Sequence, residues 1–489
     1  MGYFTVQFPL IVEKWQADIL NKRFEMGRKI YNSLVKLTLN RYEEMIKNEK
    51  YKELLASIQR EEDGKALENK YNKKIFKVIN KMRDDYKLSE FQFHSDVKPF
   101  RKPYKKHIDS NTAQKLGTRL WNAYEKVIFG NGKEIHFKKY DALNSLEGKS
   151  NRSGIRFKNN NIEWFGLKMP VVIDFKSQYE VEALKSKISY CRIKRKFIRS
   201  KYKFYLQLVF KGTPPVKIDK NTGEVKRKIG KGDVGIDIGV STVAYCSENT
   251  LKILELADRI RNTSAEKRRI LRKMDRSRLK TNPNLFEIDG TIKKGAKFNF
   301  SKKYMKLKLK LKDIFRKEAD IRKYQHECLA NEIISLGDKI YVETMNFSDL
   351  KLRNKTTKKT KTGKFKSKKR FGKSIGNKAP AMLITIIDRK LKYLGKKIIS
   401  INTKKARASQ FNHLTGEYKK KSLSKRWNCI DGYKVQRDMY SSFLIMNINK
   451  DLETYNLRKC NKRFKNFLEL HKNEVKRLLG NKNLSSIGI

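Results

Sequence analysis

Hydrophobic and polar positions change period several times along this chain. In residues 3–10, Phe4, Val6, Phe8 and Leu10 fall on alternate positions, which places them on one face of a strand. From Trp15 the spacing turns helical. Leu20, Phe24, Tyr31 and Leu34 recur three, four or seven residues apart, and proline is absent from Ile11 to Val97. Residues 15–90 are therefore expected to be mostly helical. A second helical stretch carries Leu120, Trp121, Tyr124 and Ile128 and closes at Gly130 and Gly132. From 133 to 225 the texture is β again. Pro170–Phe175 holds a β-branched run, and Tyr202, Phe204, Leu206, Leu208 and Phe210 alternate with Lys201, Lys203 and Gln207. NTGE at 221–224 marks a turn.

The sequence KRKIGKGDVGIDIGV, residues 226–240, opens a new unit. It is followed by an expected strand at 251–257 and an Arg- and Lys-rich helix at about 258–280. In the segment 302–336 the periods compete. MKLKLKLK (305–312) alternates like a strand, yet Leu307, Leu311, Ile314 and Phe315 fit a helix, and the absence of Gly and Pro favours helix. Lys339–Glu343 reads as a strand, Ala381–Leu394 as a helix, 397–401 as a strand and 434–450 as a helix. The tail, 451–489, is basic and expected to be helical in part. No internal repeat is present.

Charge changes the picture most. The 489 residues leave room for about two to four domains. They include 115 Lys and Arg against 51 Asp and Glu, a formal net charge of +64. Such a chain repels itself unless a polyanion neutralises it, which points to nucleic acid in quantity. With 26 Phe, 22 Tyr and 4 Trp, it has the aromatics to build cores. Between Lys351 and Lys373, 12 of 23 residues are Lys or Arg and none is acidic. Lys358, Lys359, Lys368, Lys369 and Arg370 in this run are candidate phosphate contacts, and a solvated loop explains them as well. The same two readings apply to Arg268, Arg269 and Arg272. Tyr202, Phe204 and Tyr205 suit either base stacking or a core.

The five cysteines, Cys191, Cys246, Cys328, Cys429 and Cys460, are odd in number, widely spaced and free of any CxxC pair. No disulfide framework is expected, and a reducing compartment fits. The N-terminus lacks a signal-peptide pattern, and no apolar run approaches the ~18 residues of a membrane span. The expectation is a soluble cytoplasmic protein with no membrane partner.

In so basic a chain, acids inside apolar strands stand out. Asp237 sits in VGIDIGV, opposite the face of Val234, Ile236 and Ile238. Glu343 ends the strand KIYVE, and Asp438 lies at the rim of a helix whose buried face would be Val435, Met439 and Phe443. Taken singly, they read as a turn former, a solvated strand end and an ion pair with Arg437. Taken together, three carboxylates on separate elements suit two hard divalent ions, each needing only one or two carboxylates.

An Asp on a first strand, a Glu ending a later strand and an Asp on a late helix is the arrangement of an RNase H-like nuclease. Through VGIDIGV, KIYVETM and QRDMYSS, the stretch from Asp237 to Asp438 resembles the RuvC domain of the transposon-encoded TnpB family, and more distantly that of compact type V CRISPR effectors. NKAPAMLITIIDRKLKYLGKKIISIN resembles the helix–strand unit before that family's zinc segment, and TAQKLGTRLWNAYEKVIFG resembles its recognition helices.

The resemblance implies a multidomain fold of α/β and α+β parts. Residues 1–14 and 130–225 would form a β-barrel-like wedge domain, 15–129 a helical recognition domain, 226–450 the nuclease domain, and 451–489 a basic tail. It implies an RNA-guided DNA endonuclease, one chain per guide RNA, that pairs its guide with double-stranded target DNA beside a short motif. Asp237, Glu343 and Asp438 would hold two Mg²⁺ ions and cut. The alternatives are a nuclease-inactive guided repressor, a guide-free transposase and a CRISPR-associated effector of similar build.

The chain departs from the family at the zinc segment, 403–433. Where two CxxC pairs are usual, it has Asn412 and Thr415, then Cys429 and Gly432. One thiolate does not make a four-coordinate site, so no structural zinc is expected. Packing by Phe411, Tyr418, Leu423 and Trp427 would hold the segment instead, and His413 reads as a surface or capping residue.

Overall fold

In the N-terminal alternation, Phe4, Val6 and Phe8 are buried and their neighbours exposed, giving β1 (Tyr3–Pro9). The computed structural model describes residues 2–60, 66–129, 132, 134–199, 201–219, 221–352, 356–357, 362–363, 371–422 and 425–480. Lys358, Lys359, Lys368, Lys369, Arg370, Gly130 and Leu423 lie outside the described residues. The chain divides into two units, Met1–Val216 and Lys217–Ile489. Each mixes helices with sheets, and no described helix is long and apolar enough to cross a membrane.

In the first unit, Glu13 and Gln16 form a capping box that starts α1 (Lys14–Lys47), which buries Leu20, Phe24, Tyr31 and Leu34. Four helices follow: α2 (Glu49–Ala56), α3 (Lys70–Asp85), α4 (Glu90–Arg101) and α5 (Ser110–Ile128). Then come β2 (Ser145–Glu147), β3 (Arg156–Lys158), β4 (Asn161–Trp164), β5 (Leu167–Pro170), α6 (Gln178–Leu184), β6 (Ile188–Ile198) and β7 (Lys201–Lys211). β1 pairs antiparallel with β7, Phe4 opposite Phe210 and Phe8 opposite Leu206, in a sheet of order β1-β7-β6-β2.

β3, β4 and β5 form a separate meander, joined to the end of β1 by the bridge between Leu10 and Val171. The expected barrel is therefore not closed. With three or four residues each, β2 to β5 are too short to carry the tilted pairing around a ring. Polar bonds tie the helices to the meander. Buried Arg23 of α1 donates to the carbonyls of Trp164 (2.8 Å) and Phe165 (2.7 Å), and the Trp164 indole donates to Asp109 at 2.8 Å. Burial lowers the Arg23 pKa to about 10, with Asp109 opposing the shift.

The second unit is built on β8 (Asp233–Ile238), β9 (Thr242–Cys246), β10 (Leu251–Glu255), α7 (Ser264–Thr281), α8 (Lys302–Leu336) and β11 (Lys339–Glu343). After these come α9 (Phe347–Leu350), α10 (Gly372–Lys378), α11 (Pro380–Lys392), β12 (Ile399–Ile401) and α12 (Thr403–Ala406). The chain continues with β13 (Trp427–Ile430), β14 (Tyr433–Gln436), α13 (Arg437–Met446) and α14 (Leu457–Leu479). The main sheet has the order β10-β9-β8-β11-β12. β8, β9 and β10 are antiparallel neighbours, whereas β11 runs parallel to β8 and β12 parallel to β11.

Helices cover both faces of this sheet. Val234, Ile236, Ile340 and Val342 pack with Ala330 and Ile333 of α8 and Leu383 and Ile387 of α11. Ala244, Cys246, Leu251 and Ile253 lie in the other core, with Met439 and Phe443 of α13 and Phe464 and Phe467 of α14. The ambiguous segment 302–336 is one helix. The expected helix at 434–450 begins only at Arg437, after β14, because the Gln436 side chain caps it by accepting from the Met439 N–H at 2.8 Å.

Candidate active site

With Val234, Ile236 and Ile238 committed to one core, Gly235 and Asp237 face the opposite way. A β-carbon on Gly235 would stand 2.2 Å from the backbone oxygen of Ser442 and 2.3 Å from the nitrogen of Met446. The missing side chain thus lets α13 lie directly on β8. Ser441 of that helix, whose hydroxyl donates to the Arg437 carbonyl at 3.0 Å, lies near Asp237, and Asp438 sits in the helix's first turn.

Glu343 reaches the same face from the neighbouring strand. Tyr341 aligns with Gly235 and Val342 with Ile236, which sets Glu343 beside Asp237 at the carboxyl ends of β8 and β11. The backbone N–H of Ala408 donates to the Glu343 carboxylate. That N–H follows Arg407, whose left-handed φ of 44° turns the chain after α12.

The cluster is short of positive charge. Burial, then repulsion from Asp438 and Glu343, holds the Asp237 carboxyl well above its ordinary range. Burial raises Glu343 to about 7; Asp438 adds to the shift and the Ala408 N–H opposes it. Asp438, in the first turn of α13, is ion-paired with Arg437 at 2.9 Å and with Arg426 at 3.3 Å.

Among the described residues, no three His, Cys, Asp or Glu form a group that could hold a metal ion. The oxygen-only donor set nevertheless fits hard divalent cations, which take one or two carboxylates each and fill the remainder with water and phosphate. Asp237 and Glu343 also carry a cost of burying negative charge that such cations would relieve.

Other candidate residues stand elsewhere. Arg268, Arg269 and Arg272 are exposed on α7, which buries only Ile270 and Met274. Phe204 is buried near Phe24, and Tyr202 lies under the Arg195 guanidinium at 4.5 Å, so both serve a core. His413 is a correction: it is a core residue with 1% exposure. Its Nδ1 lies 2.6 Å from the Tyr440 hydroxyl, which also accepts from the His413 backbone N–H at 3.1 Å. Burial lowers its pKa to about 4, so the ring is neutral, and a short hydrogen bond joins Nδ1 to the hydroxyl. A lone histidine in a polar stretch has no periodicity to reveal this.

The sequence reading also missed Arg426, Ser441, Gln436 and His471. His471 of α14 accepts the Gln436 N–H at 2.9 Å, fixing the entry to α13. Gln436 and Ser441 lie within three residues of Asp438, whereas Arg426 and His471 carry no such sequence signal. The 403–433 segment is packed by Phe411 against Tyr418 (4.7 Å) and Tyr455 (4.8 Å), and by Trp427 near His471 (6.1 Å).

No protein-family profile and no curated protein matches the chain. Among solved structures, it is similar to a Cas12f1–sgRNA–target DNA complex at 12% identity and a TM-score of 0.41, covering 91% of this chain and 99% of that one. It is similar to a CRISPR–Cas12f ternary complex at 14% identity and 0.26, covering 90% and 83%. A Cas12i–crRNA–dsDNA complex matches at 10% identity and 0.25, covering 94% and 70%.

Proposed function

We propose that this chain is an RNA-guided DNA endonuclease of the TnpB-like kind, encoded by a transposable element and acting in the cytoplasm. Asp237, Glu343 and Asp438 are its RuvC-type, Mg²⁺-dependent carboxylates. The observation that carries the catalytic part is the meeting of acids from β8, β11 and α13 on one face of the sheet. This is the placement implied by the resemblance to RNase H-like nucleases. Guide RNA and target DNA are the proposed partners, one chain per guide. The motif resemblance supports this, as does a charge of +64 that demands a large polyanion. The proposed domains are the wedge (1–14 and 130–225), the recognition helices (15–129), the nuclease (226–450) and the tail, with no structural zinc.

Bound magnesium would supply charge neutralisation at the scissile phosphodiester and its attacking water. The chain itself sets the positions. Gly235 lets α13 carry Asp438 close to β8, and the Ala408 N–H orients Glu343. Burial favours the protonated forms of Asp237 and Glu343, so a bound cation would displace protons from them. Arg426 and Arg437 hold Asp438 in the metal-free state. That clamp favours a second reading, a guided DNA-binding protein that does not cut.

One experiment separates the two. The protein is expressed with its native flanking DNA, the co-purifying RNA is sequenced, and a matching plasmid is offered with Mg²⁺. Cleavage that depends on the matching sequence supports the endonuclease. A target that is bound and left intact supports the second reading, and a heterogeneous smear of host RNA favours the guide-free transposase.

A further inference from the structure

The loop joining α7 to α8 is built, and its outer face is aromatic. Asn282, 7% exposed, closes its base: its side chain accepts from the Asn299 N–H and donates to the Asn299 carbonyl, both at 2.8 Å. The Ser277 and Ser301 hydroxyls meet at 2.7 Å, and Phe286 bridges to Ile292. On this frame stands a column of near-parallel rings. Phe298 and Phe300 are 6.4 Å apart at 26°, and Phe300 and Tyr304 are 4.4 Å apart at 19°. The Arg278 guanidinium lies 5.3 Å from the Phe298 ring. Phe300 remains 45% exposed. Because polar bonds already close the loop, the outer stack of Phe300 and Tyr304 is not needed to shut it.

The surroundings select the partner. From 276 to 312 there are 12 Lys or Arg and two acids, Glu287 and Asp289. A ring column with Phe300 exposed and cations flanking it suits an unpaired nucleic acid, whose bases stack on the column and whose phosphates meet the lysines. Position selects the strand. The first residue that α8 buries is Glu318, so 302–317, about 24 Å of helix, stands clear of the core. Only Gly337 and Asp338 separate α8 from β11. The helix therefore runs back against the strand, and its free end points toward the end of the sheet that bears Asp237 and Glu343.

We propose that the α7–α8 tip is a stacking platform that holds an unpaired DNA strand at the acid-bearing end of the nuclease unit. The assignment of the strand as substrate rests on the nuclease reading; the platform itself is read by binding alone. The test uses the full chain with whatever RNA it retains, in EDTA so that cleavage plays no part. The probe is a fluorescent oligothymidylate of about 20 nucleotides, long enough to span a single-strand site.

The variant pairs Phe300→Ala with Tyr304→Ala, and Tyr324→Ala, which removes an exposed ring elsewhere on α8, serves as comparison. Losing one or two stacked bases predicts about a ten- to hundred-fold weaker affinity for the probe. Retained RNA should be unchanged, and Tyr324→Ala should bind like the wild type. Unchanged probe affinity, or loss of retained RNA with probe binding intact, overturns the proposal. Should the double variant fail to fold, photo-crosslinking of a bromodeoxyuridine-substituted probe to the wild type decides. Adducts within 286–304 support the platform, and adducts confined to other segments overturn it. Platform binding by a chain that never cuts would leave this inference standing while the nuclease reading falls.

Discussion

The backbone oxygen of Ser442 occupies the space where a side chain on Gly235 would begin, 2.2 Å from the position of its β-carbon. This close approach brings Asp438 and Ser441 to Asp237. The obstacle is backbone on both strand and helix, so neither a rotamer change nor a small shift removes it. Gly235→Ala should therefore destabilise the protein by about 3 kcal/mol or more, read by urea or thermal unfolding. Gly239→Ala meets the Thr242 hydroxyl at 3.2 Å, a side chain that can move, and should cost less. Equal stability of the two variants would mean that α13 is not seated as described.

Proton and cation compete for the acids. Asp237 and Glu343 both have raised pKa values in the folded protein, with burial as the main cause and Glu343 near 7. In the window between the ordinary carboxylate range and about pH 7, the metal-free folded state therefore binds more protons than the unfolded state. Its stability should fall as pH rises through that window, and saturating Mg²⁺ should flatten the fall. Mg²⁺ binding should also release protons there, measurable by calorimetry in buffers of different ionisation enthalpy. Absence of proton release near pH 6 would refute the cation assignment.

Arg426 competes with cations for Asp438. Its contact is long, 3.3 Å, and the arginine is partly exposed, so the pair is weak. Arg426→Gln should tighten Mg²⁺ binding a few-fold by removing a rival charge, as titration calorimetry would show. Weaker binding would instead make Arg426 a support for the site.

His413 and Tyr440 tie the 403–433 segment to α13. Tyr440→Phe removes the hydroxyl that bonds the buried His413 ring nitrogen and backbone N–H, and should cost about 1–3 kcal/mol. Hydrogen exchange should rise between Ser409 and Gln436. An unchanged exchange pattern would leave packing alone to hold the segment.

Asp237 and Glu343 stood out because an acid in an apolar strand contradicts the local pattern, and Asp438 because it sits in QRDMYSS at the rim of a helix. β1, β8 and β11 were legible because their apolar residues keep one period, and α8 because Gly and Pro are absent where its periods compete. What the period did not carry was contact between distant segments. Only the fold shows that the missing side chain of Gly235 admits α13. The clamp of Arg426 on Asp438, the Ala408 N–H on Glu343 and the burial of His413 come from side chains and turns that follow no repeat. The barrel expected of the first unit fails for a related reason: alternation gives a strand its face, but not its length or its closing partner.

The central claim is that Asp237, Glu343 and Asp438 cut guided DNA. The most direct measurement compares wild type with Asp237→Asn, Glu343→Gln and Asp438→Asn, each loaded with the co-purified guide RNA, on a matching plasmid with Mg²⁺. Binding should stay within a few-fold of wild type. Cleavage should drop at least about a thousand-fold in each variant, because each removes a carboxylate from a metal-assisted step. Cleavage at wild-type rate by any of the three would contradict the assignment.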